Sequence, residues 1–257
     1  MSAQARARVL ETPGEFGIEG DLSLKEIIVK APELRSRIMA TVVIPAYNEE
    51  AGLPVVLESL FRSVDGQCEV LVIDDGSNDA TSRVASQFRC GVIRHGRNRG
   101  KGEAMKTGIR HARGESVIFV DADGTYPTDA IPQMIESLES CDAVYGSRAS
   151  GRDNIPRFNR LGNALFQGIM RYVYHFEPGD YATGLYGMKT RYLQKMRVSS
   201  DGFAVEPEIA IKACRMKLKI HEIPVHYRER IGQPKLSGFS AGFDHLRTMV
   251  KLLFWRP

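Results

Sequence analysis

Strand-like and helix-like segments alternate along residues 40–120, and this alternation limits the folds that the chain can adopt. Residues 40–44 (ATVVI) and 69–73 (EVLVI) are short, largely apolar runs of the kind that form strands buried on both faces. The full pattern predicts strands at 40–44, 69–73, 92–94 and 117–120 and helices at 53–64, 80–88 and 102–113. It favours an α/β fold with a mostly parallel central sheet flanked by helices.

Less regular sequence lies on both sides of this pattern and suggests three segments. Residues 1–38 are polar and mixed in charge, and we expect an N-terminal extension with one short helix near residues 24–29. Residues 39–236 form the predicted main domain, whose second half contains a polar loop at 149–156 and a helix at 161–173. Residues 237–257 form a predicted C-terminal amphipathic helix.

The C-terminal helix has two interpretations. Its apolar residues alternate at four- and three-residue spacing, at Phe239, Phe243, Leu246, Val250 and Leu253. Basic residues lie off this stripe, at Arg247, Lys251 and Arg256. The helix either lies in a membrane interface or docks with its stripe on its own domain.

Composition limits the possible partners. The net charge is only +4 in 257 residues, which does not indicate a general nucleic-acid-binding protein. Residues 206–257 carry ten Lys/Arg against five Asp/Glu, which suits an anionic substrate, an anionic membrane surface or a solvated face. The four cysteines form no Cys-x-x-Cys pair, and no segment resembles a signal peptide or a transmembrane helix. We therefore expect a cytoplasmic protein, with peripheral contact at the cytoplasmic face of a membrane as an option.

The strand predicted at 117–120 ends in two carboxylates, Asp121 and Asp123. Alternate side chains of a strand share one face, and open α/β sheets bind their ligands at the carboxyl ends of the strands. Two carboxylates there suit one hard divalent cation, Mg²⁺ or Mn²⁺, which also binds substrate phosphates. The alternative is an acidic turn that caps the next helix.

Two further polar turns follow predicted strands, PAYNEE at 45–50 and DDGSND at 74–79. In a parallel sheet these turns and the one at 121–125 lie along the same edge. Clustered carboxylates repel one another unless a cation or hydrogen-bond donors satisfy them. The sequence therefore predicts one pocket lined by all three turns.

Short motifs in a fixed order extend these observations over most of the chain. They are IPAYNEE (44–50), VIDDGS (72–77), GKG (100–102), DADG (121–124), YGSR (145–148), GDYATG (179–184), FAVEPE (203–208), EIPV (222–225) and RERIGQPKL (228–236). The first four resemble family 2 glycosyltransferases with the GT-A fold, and the others resemble the branch of dolichol- or polyprenyl-phosphate sugar synthases. The resemblance covers residues 39–250 and implies a GT-A catalytic domain over 39–236.

The resemblance implies a role for each turn. The residues that it assigns to nucleotide binding are Pro45, Tyr47, Glu49, Asp75, Lys101 and Asp121, with Asp75 accepting hydrogen bonds from the base. Asp121 and Asp123 would bind Mg²⁺ or Mn²⁺. The resembled synthases often place Gln two positions after this pair, where it reaches the metal; this chain has Thr125 there, which leaves the third ligand open. Without the resemblance, Tyr47 is equally a core-edge aromatic residue and Asp75 a helix cap.

The implied catalytic residues are Asp123, Arg148, Glu206 and Arg230. Arg148 and Arg160 would bind the acceptor phosphate, because the planar guanidinium contacts phosphate with two hydrogen bonds. Arg230 falls on a loop that in the family closes over donor phosphates. Asp180 or Glu206 would act as a general base only for a hydroxyl acceptor, since a phosphate is already ionised. The alternative for the arginines is a set of surface ion pairs.

The expected function is that of an inverting, metal-dependent glycosyltransferase. It would move a sugar from a GDP- or UDP-sugar to polyprenyl or dolichyl phosphate, at a membrane surface or beside a membrane partner. One alternative keeps the donor and replaces the acceptor by a soluble small molecule or a glycan hydroxyl. Another is a nucleotide-sugar-binding protein without turnover. The sequence indicates neither the sugar, nor the base of the nucleotide, nor the oligomeric state.

Overall fold

In the computed structural model, residues 28–29, 38–64, 66, 68–155, 157–233 and 238–257 are described, without the side chains of 28–29, 157–159 and 238–241. In this part of the chain eight strands form one sheet, in the order β1-β4-β3-β2-β5-β7-β6-β8. The strands are β1 (Ile28–Val29), β2 (Ala40–Ala46), β3 (Cys68–Asp74), β4 (Gly91–Arg94), β5 (Ser116–Phe119), β6 (Ala143–Ser150), β7 (Tyr186–Lys189) and β8 (Ile220–His226).

Pairing within the sheet is mostly parallel, as predicted. Strand β2 lies between β3 and β5 and is parallel to both, and the β3–β4 and β6–β8 pairs are also parallel. The antiparallel pairs involve β1 and β7. Ala46 lies opposite Asp74, and Val43 lies opposite Phe119, so the ends of β2, β3 and β5 meet at one edge. The predicted common edge for the three polar turns is therefore present.

Eight helices flank the sheet in the described part of the chain. They are α1 (Gly52–Ser63), α2 (Thr81–Ala85), α3 (Lys101–His111), α4 (Ile131–Ser140), α5 (Arg157–Tyr174), α6 (Thr190–Met196), α7 (Val205–Arg215) and α8 (Gly238–Lys251). One core cluster contains buried residues of α1 and α4, such as Leu57 and Met134; the other contains residues of α3, α7 and α8, such as Met105, Ile209 and Met249. Alternate side chains of the strands feed the two clusters, which explains the continuous apolar runs in the sequence.

Two local predictions are wrong. Ile28–Val29, which we expected at the end of a short helix, is a strand that pairs with β4; the rest of the expected helix lies outside the described residues. The loop expected at 149–156 is shorter, because β6 continues to Ser150 and a 3₁₀ helix follows at Arg152–Asn154. In both segments the structure depends on pairing with a neighbouring strand of the sheet. That strand is distant along the chain, so the periodicity of the local sequence does not reveal the pairing.

Helix α8 and the turn after it dock mainly through residues outside the predicted stripe, although Leu253 of the stripe is half-buried and packs against the same core. Met249 and Leu252 are buried, whereas Phe243, Leu246 and Val250 are exposed. Phe239 of the predicted stripe lies in the part whose side chains are not described. The helix thus attaches to the core by one face and leaves an apolar face uncovered.

Glu208 on α7 is a buried carboxylate that binds the segment preceding α7. Its side chain is 1% exposed, lies 2.5 Å from Lys212 Nζ and accepts backbone N–H bonds from Ser199 and Ser200 at 2.9 and 2.7 Å. Burial opposes ionisation, but the hydrogen bonds from Lys212, Ser200 and Ser199 lower the pKa of Glu208 to about 2.

We expect the substitution Glu208→Gln to destabilise the protein in a pH-dependent way. Because the folded-state pKa lies below the ordinary value of 4.5, the carboxylate stabilises the fold above pH 4.5, and this contribution is lost as the pH falls towards 2. The difference between the ordinary pKa and the folded-state pKa corresponds to about 3 kcal/mol in the free energy of unfolding at neutral pH. Urea unfolding at pH 7 and pH 3 measures it. Glu136→Gln, on the exposed side of α4, is the control and should change stability by less than about 0.5 kcal/mol. An equal loss at both pH values would contradict the prediction.

Candidate active site

A cavity of about 680 Å³ opens at the edge where β2, β3 and β5 end. The three polar turns line one side of it, and residues of α5, α7 and α8 line the other. The predicted site residues in its lining are Pro45, Tyr47, Glu49, Asp75, Lys101, Asp121, Asp123, Arg148, Glu206 and Arg230. The volume lies in the range typical of cofactor-sized ligands.

Asp121 and Asp123 are positioned by close neighbours. The backbone N–H and the hydroxyl of Thr125 both donate to Asp123 Oδ1, at 3.0 and 2.6 Å. Thr125 therefore fixes the orientation of Asp123. Gly184 packs against the other carboxylate: a Cβ at this position would lie 2.0 Å from Asp121 Oδ2, so a larger residue would displace Asp121.

Lys101 links the carboxylate turn to helix α7. Its ammonium lies 2.7 Å from Asp121 Oδ1 and 2.6 Å from Glu206 Oε1. Burial lowers the pKa of Lys101, but Asp121 and Glu206 outweigh this and hold it above its usual range. Burial raises the pKa of Asp121 to about 6, against the opposing effect of Lys101 and with a further increase from Asp123. The ammonium is thus a firmly charged bridge between two carboxylates.

Arg230 forms the second bridge. Its Nη1 lies 2.6 Å from Asp123 Oδ2, and its Nη2 lies 2.8 Å from Glu49 Oε1. Arg230 belongs to residues 228–233, which we call the strap. The strap is attached to the carboxylate turn by backbone hydrogen bonds from Arg228 to Thr125 and from Ile231 to Asp123, at 2.8 and 2.9 Å. The strap therefore covers the carboxylate turn and neutralises part of its charge.

The donor set can hold a divalent cation together with a substrate. Asp121 and Asp123 are the two candidate ligands, and the described residues contain no group of three His, Cys, Asp or Glu side chains arranged for a metal ion. Mg²⁺ typically binds one or two carboxylates and completes its shell with substrate phosphates and water. The pair fits a cation that arrives with a diphosphate. It does not resemble a closed structural metal site.

Pro45, Tyr47 and Asp75, for which the resemblance implies nucleotide binding, all line the cavity. Asp75 is 3% exposed, and its carboxylate accepts hydrogen bonds from the backbone N–H groups of Arg99 and Gly100, the latter at 2.7 Å. His95 Nδ1 lies 2.6 Å from the same carboxylate. Asp75 thus positions the loop before Lys101, and its use in base recognition stays a prediction.

Arg148, for which the resemblance implies binding of the acceptor phosphate, is held by a buried ion pair. Its Nε and Nη2 lie 2.5 and 2.7 Å from the two carboxylate oxygens of Asp180, and its guanidinium stands 5.4 Å from the centre of the Tyr227 ring. In the described part of the chain no hydrogen bond involves its Nη1. Asp180 therefore orients Arg148, and both of its oxygens are engaged, which leaves it poorly suited to act as a base.

Arg160, the second residue predicted to bind acceptor phosphate, is not part of the cavity lining. It lies on α5 and pairs with the exposed Asp153 at 2.7 Å. A surface pair of this kind contributes little to stability. Arg148 lines the cavity and Arg160 does not, so the role of Arg160 in acceptor binding stays a prediction.

Several residues of the far wall had no signal in the sequence. Phe166, Tyr227 and His245 line the cavity, although none of them belongs to a motif that indicated a site. His245 Nε2 lies 3.0 Å from the Phe203 carbonyl oxygen and acts as the donor there. Burial lowers the pKa of His245, which favours the neutral ring. Phe166 and His245 meet because α5 and α8 pack against each other, whereas Tyr227 follows β8 and packs on Tyr126.

The sequence matches known proteins over most of its length. The model of glycosyl transferase family 2 matches residues 41–199. The chain belongs to this family. A dolichyl-phosphate hexose transferase of Haloferax volcanii is 30% identical over 82% of this chain and 92% of that protein. A dolichol-phosphate mannosyltransferase of Pyrococcus furiosus is 28% identical over 84% of this chain and 64% of its own length, so the chain spans less than two thirds of that relative.

Solved structures confirm the GT-A fold of this family 2 glycosyltransferase. Glucosyl-3-phosphoglycerate synthase from Mycobacterium tuberculosis, in complex with Mn²⁺, uridine diphosphate and glucosyl-3-phosphoglycerate, has a TM-score of 0.64 at 24% identity, over 83% of this chain and 79% of that one. Mannosyl-3-phosphoglycerate synthase from Rubrobacter xylanophilus has a TM-score of 0.64 at 16% identity, over 84% and 74%. At these identities the likeness shows the fold alone.

The family and the named relatives together show that the chain is an enzyme, a hexosyltransferase. The expected alternative of a binding protein without turnover is therefore set aside. In the described part of the chain, no helix combines the length and the hydrophobicity that crossing a bilayer would require.

Because Arg230 pairs with Asp123, we predict that its guanidinium competes with a divalent cation for the Asp123 carboxylate. In the variant Arg230→Gln, Asp123 Oδ2 loses its ion pair, so we expect Mn²⁺ to bind about fivefold more tightly in the absence of nucleotide. A partly exposed ion pair of about 1 kcal/mol accounts for this factor. Titration of Mn²⁺ followed by electron paramagnetic resonance measures the affinity. Arg228→Gln, at an exposed position of the same strap, should leave it unchanged; equal Mn²⁺ affinity in the Arg230 variant and the wild type would refute the competition.

Proposed function

We propose that this family 2 glycosyltransferase transfers a hexosyl group from a GDP- or UDP-sugar to polyprenyl phosphate, with inversion at the anomeric carbon. One oxygen of the acceptor phosphate forms the new bond to this carbon while the bond to the diphosphate breaks. The relatives named dolichyl-phosphate hexose transferase and dolichol-phosphate mannosyltransferase support this acceptor class. A divalent cation, Mg²⁺ or Mn²⁺, held by Asp121 and Asp123 would neutralise the charge on the leaving diphosphate.

The observation that carries the proposal is the buried Arg148–Asp180 pair. Arg148 lines the cavity while Asp180 fixes two of its three nitrogens, so the guanidinium is preorganised. A fixed guanidinium is suited to an anionic oxygen such as that of a phosphate. A phosphate monoester is largely ionised at neutral pH and needs no base, which agrees with the engagement of Asp180. A phosphate acceptor therefore explains the Arg148–Asp180 pair better than a hydroxyl acceptor does.

An exposed apolar surface next to the cavity favours a lipid acceptor. Helices α5 and α8 touch each other where Phe166 meets Gly242, and both of these residues line the cavity. Large apolar side chains are exposed on the same two helices and just beyond α8, at Leu161, Leu165, Tyr172, Val173, Phe243, Leu246, Val250 and Phe254. Exposed basic residues flank them, at Arg171, Arg247, Lys251 and Arg256.

We call this surface the α5–α8 face. A mixture of exposed apolar and basic side chains is typical of helices that lie in the interface of an anionic membrane. We propose that the α5–α8 face rests on the cytoplasmic leaflet and presents the cavity to polyprenyl phosphate. The protein would accordingly act as a peripheral enzyme at the cytoplasmic side of the membrane.

Sugar transfer tests the proposed reaction directly. Purified protein is incubated with Mn²⁺ or Mg²⁺ and a panel of radiolabelled GDP- and UDP-sugars, with and without a short polyprenyl phosphate. We expect label in the lipid extract with one of the donors and only when the lipid phosphate is present. Transfer to a soluble acceptor with none to the lipid would replace the proposal by the hydroxyl-acceptor alternative.

Two variants connect this activity to the site. Asp123→Asn should abolish transfer, and Arg148→Lys should lower kcat/KM for polyprenyl phosphate by 10- to 100-fold, since a charged hydrogen bond contributes about 1.5–3 kcal/mol. Arg148→Lys keeps the charge opposite Asp180 and so protects the fold. Arg191→Gln, an exposed arginine outside the cavity, is the matched control and should retain wild-type activity.

Flotation with liposomes tests whether the α5–α8 face binds a membrane. We expect the wild-type protein to float with vesicles that contain anionic lipid and to be released partly by high salt. The double variant Leu165→Ser/Phe243→Ser should reduce the bound fraction about tenfold, because two exposed apolar side chains no longer enter the interface. Val55→Ser, a half-exposed valine on α1, should bind like the wild type. Equal losses in both variants would argue against this face as the binding surface.

A further inference from the structure

Glu206 is almost fully buried, yet the described part of the chain offers no partner to one of its carboxylate oxygens. Glu206 is 6% exposed and lies in the first turn of α7. Its Oε1 is bound by Lys101 at 2.6 Å, whereas its Oε2 has no hydrogen-bond partner among the described residues. Glu206 also lines the cavity. A buried carboxylate oxygen without a donor is costly, so a ligand that supplies a donor would gain from binding there.

The position of Glu206 indicates which part of a substrate lies beside it. Lys101 joins Glu206 to Asp121, so a single ammonium separates Glu206 Oε1 from the carboxylate pair that is suited to the diphosphate. Pro45 and Tyr47, which we assign to the nucleotide, lie at the end of β2 and in the turn after it, on a different element from Glu206. The group next to the diphosphate on the side away from the nucleoside is the sugar.

The chemistry of the oxygen agrees with this assignment. A carboxylate repels the phosphates of the donor and of an anionic acceptor, so Oε2 requires a neutral donor group. Sugar hydroxyls are such donors. The ring of Phe203, one turn before Glu206, lines the same cavity and lies 5.7 Å from Lys101 Nζ. An apolar ring beside a carboxylate can contact the C–H face of a hexose while the carboxylate binds a hydroxyl.

We propose that Glu206 is a specificity-determining residue that accepts, through Oε2, a hydrogen bond from one hydroxyl of the donor hexose. This inference rests on the proposed function of the site. It assigns Glu206 to the donor sugar rather than to proton removal from an acceptor. Lys101 acts as the positioning residue, because it holds Oε1 and so leaves Oε2 to the sugar.

Calorimetric binding to the full chain in the presence of Mn²⁺ tests the assignment without turnover. The probes are UDP-glucose and GDP-mannose, each compared with UDP or GDP alone. In Glu206→Gln the amide oxygen can still face Lys101, and the NH₂ group then replaces the accepting oxygen. We expect the Kd of the nucleotide sugar to rise 10- to 100-fold and that of the free nucleotide to change less than threefold. Glu103→Gln, a charge removal on α3 outside the cavity, should change neither.

Deoxy donors identify the hydroxyl. The 2-, 3-, 4- and 6-deoxy analogues of the bound nucleotide sugar are titrated against the wild type and Glu206→Gln. One analogue should bind the wild type 10- to 100-fold more weakly than the parent sugar, and the variant should not discriminate against that analogue. This pattern, with the selective effect on the nucleotide sugar, supports the proposal.

Three results would overturn the assignment. Equal weakening of nucleotide and nucleotide sugar in Glu206→Gln would place the residue at the diphosphate. Unchanged affinity for both, with kcat reduced 100-fold or more, would make Glu206 a base for the acceptor. Discrimination among the deoxy donors that survives unchanged in the variant would assign the hydroxyl to another residue. If the wild type binds no nucleotide or nucleotide sugar at all, the proposed function fails as well, so the two failures are distinguishable.

Discussion

The pairwise neutralisation of four carboxylates at one edge of the sheet is the interaction on which the site depends. Parallel strands bring Asp121 and Asp123 to the same edge as the turn that carries Glu49, and α7 adds Glu206. Unpaired, these buried charges would repel one another and would destabilise the fold. Lys101 and Arg230 remove the repulsion by each joining two of them. The cavity is therefore preorganised before any cation or substrate enters.

Lys101 and Arg230 differ in how firmly the surrounding structure holds them, and this difference has a functional consequence. Lys101 begins a helix, is mostly buried and is paired with two carboxylates, so it is a fixed element of the site. Arg230 lies on the strap, whose attachment to the carboxylate turn consists of a few hydrogen bonds. A cation at Asp123 can take over the role of Arg230 there, which would free the guanidinium for the phosphates of a substrate. Lys101 has no comparable freedom, which is why it can define the orientation of Glu206.

The wall of the cavity that contains Arg148 is assembled differently, by pairing between strands. Arg148 extends from β6, and Asp180 comes from the segment before β7, so the antiparallel β6–β7 pair is what brings the two together. The sequence motifs around 145–148 and 179–184 indicated that both segments matter, but the bidentate contact between them could not be predicted from either one. The same is true of Phe166 and His245, which meet through the packing of α5 on α8. This wall also adjoins the α5–α8 face, so the proposed acceptor and the proposed membrane contact share one side of the molecule.

The central part of this protein is predictable from its sequence. The buried strands β2, β3 and β5, the helices α1 and α3 and the edge that carries Asp75, Asp121 and Asp123 were all predictable, because each depends on periodicity and on the geometry of parallel strands. Tertiary structure decided what lies opposite this edge. The partners of Asp123, Glu206 and Arg148 come from segments 30 to more than 100 residues away, and the strand at Ile28–Val29 exists only through its pairing with β4. Contacts of this kind depend on how helices and strands pack, and local periodicity contains no information about them.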